Sequence, residues 1–392
     1  MAQTMPMRVV VVAGLHSAAR DRAVNELLHS TAKSIALHHD LHAIAKGEVH
    51  RRLRDRWGVV DRRRVELVHA CITCTLREDL IPALVSLARE GEYATCVVEA
   101  WDGVDPATIA EALDTRAADH PAHGLLSLAA VVTAVDADLL VADLASGDDM
   151  RDRGKAVAAE DDRTAAEALT RQIEYPTVLA LAGPGDGSAD AGEAGTLLEH
   201  LNPAAVVIAL GDARLPLVVE GRFSPANAAV RLDPACAQYP DHRQDGRVST
   251  LTWRRRRPME PGRLHAILDE AVATGLRSRG RFWIAGRPDT LLVWDAGGGA
   301  LAIGAGGPWL ASLPDAAWEM VSDARRASAR VDWHPDTGDR CQCLSFTGFD
   351  IDAERIIGLL DSCLLTDEEM REPRQQRATG PDPFAEFLGA VS

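Results

Sequence analysis

The sequence predicts an α/β protein, with a doubly wound, mostly parallel sheet followed by a smaller C-terminal α+β domain. The apolar, β-branched run MRVVVVAG (7–14) ends in glycine and is typical of a buried parallel strand. Similar runs follow it, and segments of helical periodicity separate them, an alternation that favours βαβ units. From residue 247 the pattern changes to short strands in succession flanked by helices, which indicates a second domain.

The individual elements follow from the same periodicities. Further buried strands are predicted at 95–100, 128–136, 177–183 and 204–212, and helices at 78–90, 106–118, 163–174 and 190–200. Beyond them, strands are predicted at 247–256, 280–286, 290–296 and 300–306, and helices at 262–274 and 352–361. The expected organisation is a first domain over 1–212, a Pro- and Asp-rich linker over 213–245, a second domain over 246–366 and a polar tail over 367–392.

Composition limits the partners and the compartment that we expect. The 392-residue chain carries a net charge of −16 and has a pI of about 5.3, so most of its surface repels nucleic acid and anionic membrane. It has no apolar run long enough to span a bilayer and no recognisable signal peptide. The seven cysteines are odd in number and scattered, which favours reduced thiols in the cytoplasm. The negative charge and the lack of a spanning run predict no membrane partner.

The turn after the first strand is where α/β nucleotide-binding proteins hold phosphate. A phosphate loop has the sequence G-x-x-x-x-G-K-[ST], in which backbone N–H groups and the lysine contact phosphate and the hydroxyl ligates Mg²⁺. Here Gly14 is present, but Ala19, Arg20 and Asp21 stand at the other three positions. Like charges ~4 Å apart near a protein surface repel by about 4 kcal/mol, so Asp21 opposes a triphosphate unless a metal bridges them. The alternative is a strand-to-helix corner without a ligand.

A Cys-x-x-Cys pair lies in ACITCTLREDL (70–80), directly before a charged stretch with helical character. Zn²⁺ usually takes four thiolate or imidazole ligands; Cys71 and Cys74 offer two at a common spacing, and His69 is a candidate third. The pair is also compatible with a redox motif at a helix N-terminus, or with two buried thiols. Cys341 and Cys343 lie two apart on a predicted strand, where either core packing or a second thiol site fits.

Several blocks, taken in order, resemble one family. Residues 71–80 match the pattern Cys-x-Cys-Cys-Thr-Leu-Arg-x-Asp-Leu with Thr73 in place of the middle cysteine, and RSRGRFWIA matches at 277–285. Glu99 is followed by Asp105 and Pro106 at the family spacing. With these blocks the chain resembles the CobW-type P-loop GTPases of the SIMIBI class, which include zinc metallochaperones. The resemblance implies a P-loop NTPase-like first domain, Zn²⁺ and Mg²⁺-GTP as ligands, Glu99 as a catalytic residue and a metalloprotein client.

The chain departs from the family pattern where the guanine base is recognised. The family has Asn-Lys-x-Asp after the fourth predicted strand, whereas this chain has Ala-Gly-Pro-Gly at 182–185, and none of these side chains can pair with guanine. Asp186 lies one residue late. Together with Arg20 and Asp21, this departure predicts that GTP hydrolysis is weak or lost, because phosphoryl transfer depends on positioning and charge neutralisation.

Two polar stretches remain after these assignments. The basic run RRLRDRWGVVDRRR, Arg51–Arg64, is interpreted either as a solvated face or as a contact for RNA or an acidic partner. The histidines of HHDLHAIAKGEVH (38–50) are interpreted as a solvated segment or as auxiliary metal ligands.

The degenerate phosphate loop, Thr73 in place of the middle cysteine and the tail CLLTDEEM…DPF (363–384) resemble more closely an actinobacterial branch of the family. That branch is linked to zinc limitation and to recruitment of a hibernation factor to the ribosome. Two hypotheses follow. The first is a zinc metallochaperone, coupled to GTP if the degenerate loop works. The second is a non-hydrolysing, zinc-responsive adaptor for a ribosome-associated factor.

Overall fold

The computed structural model describes residues 5–115, 120–158, 161–183, 189–372 and 383–388. The chain divides into two compact units, Met1–Ala228 and Ala229–Ser392. Residues 213–228 of the Pro- and Asp-rich segment therefore group with the first unit, and residues 229–245 group with the second. Within the described ranges, no helix combines the length and the apolar character that a membrane span requires.

The first unit is built on a sheet of eight strands within the described ranges, in the spatial order β4-β3-β2-β5-β1-β6-β7-β8. The strands are β1 (Met7–Ala13), β2 (Ser34–Asp40), β3 (Glu48–Asp55), β4 (Gly58–Glu66), β5 (Thr95–Glu99), β6 (Leu126–Asp136), β7 (Val178–Ala182) and β8 (Val206–Ala209). Six of them run parallel, and β3 and β4 form an antiparallel hairpin on the edge of β2. The predicted doubly wound, mostly parallel sheet is confirmed.

Helices connect the strands of the first unit. They are α1 (Ser17–Ser30), α2 (Ile72–Thr75), α3 (Ile81–Glu90), α4 (Pro106–Ala112), α5 (Leu140–Leu144), α6 (Ala165–Glu174), α7 (Ala189–Leu201) and α8 (Leu215–Val218). The next helix, α9 (Pro225–Leu232), includes the boundary between the two units. The Asp-Pro pair of the family pattern begins α4, because Asp105 Oδ1 accepts a hydrogen bond from the N–H of Ala107 at 2.9 Å. The helix ends at Ala112, so it is shorter than the predicted helix over 106–118.

The core of the first unit lies between α1 and the central strands. Val10 and Val12 of β1, Leu27 and Leu28 of α1 and Val132 of β6 are among its fully buried members. A central parallel strand is covered on both faces, which explains why β1 is almost continuously apolar.

Of the two interpretations of the histidine segment, the solvated one is wrong for His38 and His39. Both lie in β2, which has β5 on one side and β3 on the other, and their side chains are buried. His38 Nδ1 contacts the carbonyl of Glu99 at 3.0 Å, and His39 Nε2 contacts Asp79 Oδ2 at 2.7 Å. His42 and His50 are exposed. The basic run lies in the β3–β4 hairpin. The outer strand β4 is mostly exposed, whereas Arg51 of the inner strand β3 is buried.

The second unit contains an antiparallel sheet in the order β13-β12-β11-β14-β10-β9. Its strands are β9 (His242–Asp245), β10 (Val248–Arg255), β11 (Arg277–Phe282), β12 (Thr290–Gly297), β13 (Ala300–Pro308) and β14 (Gln342–Phe349). Its helices are α10 (Pro261–Val272), α11 (Asp323–Val331), α12 (Ala353–Asp361), α13 (Asp367–Arg371) and α14 (Ala385–Leu388). The predicted C-terminal α+β domain is confirmed.

Aromatic side chains dominate the core of this second unit. Trp253, Trp294 and Phe346 are fully buried against one face of the sheet. Cys341 and Cys343 are buried in a smaller cluster with Trp283 and Trp309. Core packing, one of the two interpretations of this cysteine pair, agrees with that placement.

Candidate functional site

Cys71 and Cys74 lie at the start of one helical segment formed by α2, a single π-helical turn and α3. Cys71 is the N-cap residue of α2, and its Sγ accepts a hydrogen bond from the backbone N–H of Cys74 at 3.4 Å. Cys74 is buried, whereas Cys71 is partly exposed. The two sulfur groups are therefore neighbours, and one of them is accessible from outside.

The two thiols have opposite pKa shifts. The backbone N–H of Cys74, followed by the Cys74 thiol, donates towards Cys71 and lowers the pKa of Cys71. That thiol–thiol hydrogen bond, together with desolvation and the charge of Cys71, raises the pKa of Cys74. Two groups that share one proton behave in this way. A divalent cation in place of the proton satisfies both sulfurs, so the pair fits two positions of a tetrahedral zinc site.

Glu78 is a neighbour of this pair that the sequence interpretation did not include. Its Oε2 accepts the backbone N–H of Val68 at 3.1 Å, and its negative charge contributes to the raised pKa of Cys74. The hydrogen bond from the Val68 N–H is the main reason why the pKa of Glu78 lies below its ordinary value. Glu78 lies four residues after Cys74, and this i, i+4 spacing on a helix was a signal that could have identified it.

His69 is exposed, and its backbone carbonyl accepts a hydrogen bond from the N–H of Cys71 at 2.9 Å. Across the described ranges, no three His, Cys, Asp or Glu side chains are grouped so that they could hold a metal ion together. Cys71 and Cys74 are brought together, but His69 does not complete a three-ligand group with them in this conformation. An ion at the pair would take its remaining ligands from water, from a rearrangement of the chain or from a partner.

The turn between β1 and α1 consists of residues 14–16, since α1 already begins at Ser17. Arg20 therefore lies within the helix, and it is 2% exposed. Its Nη1 donates to the carbonyl of Gly14 at 2.6 Å, and its Nη2 pairs with Asp102 Oδ1 at 2.6 Å. The guanidinium is therefore directed into the protein, and both of its terminal nitrogens are bonded there.

Lys155 binds the same turn from another segment. Its Nζ donates to the carbonyl of Leu15 at 2.7 Å and to Asp102 Oδ2 at 2.5 Å. The carbonyl groups of Gly14 and Leu15 thus face two cations. A phosphate cradle requires backbone N–H groups directed at the ligand, so the turn presents the opposite polarity.

Gly14 is explained by packing against the sheet. Its φ is +151°, and a Cβ at this position would lie 2.4 Å from the carbonyl oxygen of Ala134 in β6. The close approach of the β1 end to β6 excludes any larger residue. The glycine that resembles the first glycine of a phosphate loop therefore has a structural role here.

Asp21 and Glu99, which the sequence predicted as a nucleotide ligand and a catalytic residue, are joined by Arg54 of the β3–β4 hairpin. Arg54 Nη2 lies 3.1 Å from Asp21 Oδ1 and 3.2 Å from Glu99 Oε2. Arg52 adds a contact to Glu99 Oε2 at 3.6 Å. Glu99 is 4% exposed, so these guanidinium groups compensate a buried carboxylate.

Sequence analysis missed Arg54, Arg52, Asp102 and Lys155 as partners of the predicted site residues. These partners are distant in the chain, and the sequence carries no signal that pairs them. Asp186, the candidate for base recognition, lies outside the described residues.

A second ion-pair cluster holds the hairpin against the helical segment that carries the cysteines. Asp79, five residues after Cys74, accepts Arg51 Nη1 at 2.9 Å and contacts His39 Nε2 at 2.7 Å. Burial by itself would raise the pKa of Asp79, but these two partners bring it below its ordinary value. The hairpin, β2 and the cysteine segment therefore form one connected region.

Comparisons with known families match most of the chain. Residues 37–182 match the model "CobW/HypB/UreG, nucleotide-binding domain", and residues 248–364 match "Cobalamin synthesis protein cobW C-terminal domain". These two matches lie in the first and second units respectively.

Curated relatives are similar over about four-fifths of the chain. "Zinc chaperone Rv0106" of Mycobacterium tuberculosis is 29% identical over 334 residues, covering 82% of this chain and 79% of that protein. "Zinc-regulated GTPase metalloprotein activator 1" of Dictyostelium discoideum is 28% identical over 335 residues, covering 82% and 70%. Among solved structures, the Zn(II)-bound YjiA GTPase from E. coli is 15% identical with a TM-score of 0.36, covering 92% of this chain and 100% of that one.

Proposed function

The chain belongs to the CobW family, with both the nucleotide-binding and the C-terminal domain, and from this premise we propose that it is a zinc metallochaperone. Its cargo is Zn²⁺, held by the thiolates of Cys71 and Cys74, and the recipient is a metalloprotein client. The curated relatives named as a zinc chaperone and a zinc-regulated metalloprotein activator support this assignment.

The observation that carries the proposal is the contact between the two thiols at an accessible helix start. Two cysteines meet there, and within the part of the chain that the structure describes no third His, Cys, Asp or Glu completes a metal-binding group with them, whereas stable structural zinc sites usually have four protein ligands. A site with two protein thiolates leaves positions open for a client's ligands, so the ion can pass by ligand exchange. Binding releases thiol protons, so the affinity increases with pH until both sulfurs are thiolates.

The proposal is tested by titrating the reduced protein with Zn²⁺ against a chromophoric chelator. Cys71→Ser and Cys74→Ser are each expected to weaken zinc binding at least about tenfold, since each removes one of two thiolates. Cys236→Ser is the matched control, because Cys236 is partly exposed and distant in sequence from the pair. If all three variants bind zinc as the unaltered protein does, the site is elsewhere.

A second candidate function is a zinc-responsive adaptor that does not hydrolyse GTP and that recruits a ribosome-associated factor. The observation that favours it is the ion pair between Arg20 and Asp102, which directs the predicted phosphate contact into the protein. Binding of Mg²⁺-GTP, measured by calorimetry with and without one equivalent of zinc, separates the two functions. Micromolar binding strengthened by zinc supports the GTP-coupled chaperone, whereas its absence, together with zinc-dependent co-sedimentation with ribosomes, supports the adaptor.

A further inference from the structure

The sheet of the second unit ends on one side in a long strand without charged residues, β13 (Ala300–Pro308). We infer that β13 pairs with the same strand of a second copy of this chain, so that two second units share one continuous antiparallel sheet. The inference goes beyond the proposed function and does not depend on the zinc site.

The four edge strands of the two sheets differ in length and in charge. β8 and β9 have four residues each, and β4 contains three arginines and two acidic residues. Short edges and charged edges are the usual means by which proteins prevent a sheet from pairing with another chain. β13 has nine residues, none of which is charged. Among the edges that the structure describes, it is therefore the one that lacks both kinds of protection.

One side of β13 is open to a further strand. β13 pairs with β12 on its other side, and no strand of the described ranges lies beyond it. Ala300 to Ala305 pair with β12 in continuous register, and a bulge follows before Pro308. These six residues give a regular stretch of about 20 Å. Every second residue of such a stretch directs both its N–H and its C=O to the open side, so an added strand finds hydrogen-bond partners there.

The side chains of β13 are compatible with pairing to an identical strand. Leu301 and Ile303 project from one face, where they pack against the aromatic core of the second unit and remain partly exposed. Ala302 and Gly304 project from the other face. Residues that are opposite each other in an antiparallel pair share a face, so the apolar side chains of one copy extend the apolar layer of the other. The small residues on the second face bring no steric conflict.

A second copy of the chain fits this edge better than a charged peptide does. A strand without charged residues offers no ion pair to an acidic or basic segment, whereas it meets its own sequence without opposing like charges. Pairing of a strand with itself has two-fold symmetry and uses the β13 edge of both copies, so the assembly closes at the dimer. Each chain carries a net charge of −16, so the two copies repel each other at long range and salt should strengthen their association.

The test is sedimentation equilibrium of the reduced, full-length protein over a range of micromolar concentrations, at low and at high salt. Ala302→Lys places a cation at an exposed position in the middle of β13, so a dimer brings two such cations together. Ala273→Lys is the control with the same change in charge, since Ala273 is exposed at the end of α10 in the same unit. Thermal unfolding of each variant verifies that the fold is retained. Hydrogen–deuterium exchange of the unaltered protein, at low and at high protein concentration, reports on the β13 amides without any substitution.

We expect a monomer–dimer equilibrium that high salt shifts towards the dimer, and slower exchange of the β13 amides as the protein concentration increases. Ala302→Lys should raise the dissociation constant of the dimer at least about tenfold, while the control variant associates as the unaltered protein does. A protein that stays monomeric at every concentration and salt overturns the inference, and so does a dimer that both variants leave equally tight. Slow exchange of the β13 amides at every concentration also overturns it, because a segment of the same chain would then cover this edge. None of these outcomes changes the zinc affinity expected for the cysteine pair, so the proposed function is tested separately.

Discussion

Replacement of Arg20 by methionine is the most direct test of the interpretation that the β1–α1 turn is closed by the protein's own side chains. Methionine retains much of the length of the side chain but removes the guanidinium. The variant leaves the carbonyl of Gly14 without its donor and leaves Asp102 paired with Lys155 alone.

The size of the effect follows from burial. Arg20 is 2% exposed, and removal of one member of a buried ion pair typically costs about 3–5 kcal/mol. Because Lys155 still contacts Asp102 at 2.5 Å, we expect the lower end, about 3 kcal/mol. For a unit of this size each kcal/mol lowers the midpoint of thermal unfolding by about 2–4 °C, so the expected decrease is roughly 6–12 °C.

The assay is unfolding of the full-length protein by heat and by urea, followed by circular dichroism. The double variant Arg20→Met/Asp102→Leu is expected to recover part of the loss, because it removes the unpaired buried carboxylate. Arg22→Gln, on the exposed face of the same helix, is the control and should change stability by less than about 0.5 kcal/mol. If Arg20→Met lowers the free energy of unfolding by as little as the control does, Arg20 is not part of a buried ion pair. The interpretation of a closed turn would then be refuted.

The pH dependence of stability gives a second readout. Burial alone would raise the pKa of Asp102, but Arg20 and Lys155 together hold it below its ordinary value. A carboxyl group with a lowered pKa in the folded state contributes stability above its unfolded pKa of about 3.9, and this stability disappears as the pH falls through the folded pKa. The difference in stability between the unaltered protein and Arg20→Met should therefore be largest above about pH 5 and decrease below about pH 4.

Two further predictions concern the same end of the sheet. Gly14→Ala should destabilise the protein by about 2 kcal/mol or more, because its Cβ would lie 2.4 Å from the carbonyl oxygen of Ala134. The free energy of unfolding is measured in urea, and a value similar to that of the unaltered protein would contradict the packing role. Arg54→Gln should destabilise by about 2 kcal/mol and increase exchange of hairpin amides with deuterium, since Asp21 and Glu99 lose their common partner. Unchanged exchange in the hairpin would show that Arg54 does not hold it against the sheet.

The sequence by itself determined the architecture and the position of the cysteine pair. Buried parallel strands are marked by apolar β-branched runs, and the intervening helices are marked by their periodicity, so both units were predictable from local patterns. The adjacency of Cys71 and Cys74 follows in the same way from a spacing of three residues at a helix start. These features depend on residues that are close in the chain.

The hairpin was not predictable as strands, because β3 and β4 contain few apolar residues and consist mainly of arginine and other charged residues. Its strand character depends on pairing with β2. His38 and His39 are buried against Glu99 and Asp79, which are distant in the chain, whereas one of the two interpretations of their segment was a solvated one. An edge hairpin with charged side chains on both faces resembles a solvated loop in a single sequence.

Only the tertiary structure decided the state of the predicted nucleotide site. Sequence analysis showed that Arg20 and Asp21 replace the usual lysine and hydroxyl, but Arg20 pairs with Asp102, and Asp21 and Glu99 share Arg54. Arg54 belongs to β3, which pairs antiparallel with the parallel strand β2, and Asp102 follows the carboxyl end of the parallel strand β5. Ion pairs between distant residues depend on that packing, for which local periodicity contains no information.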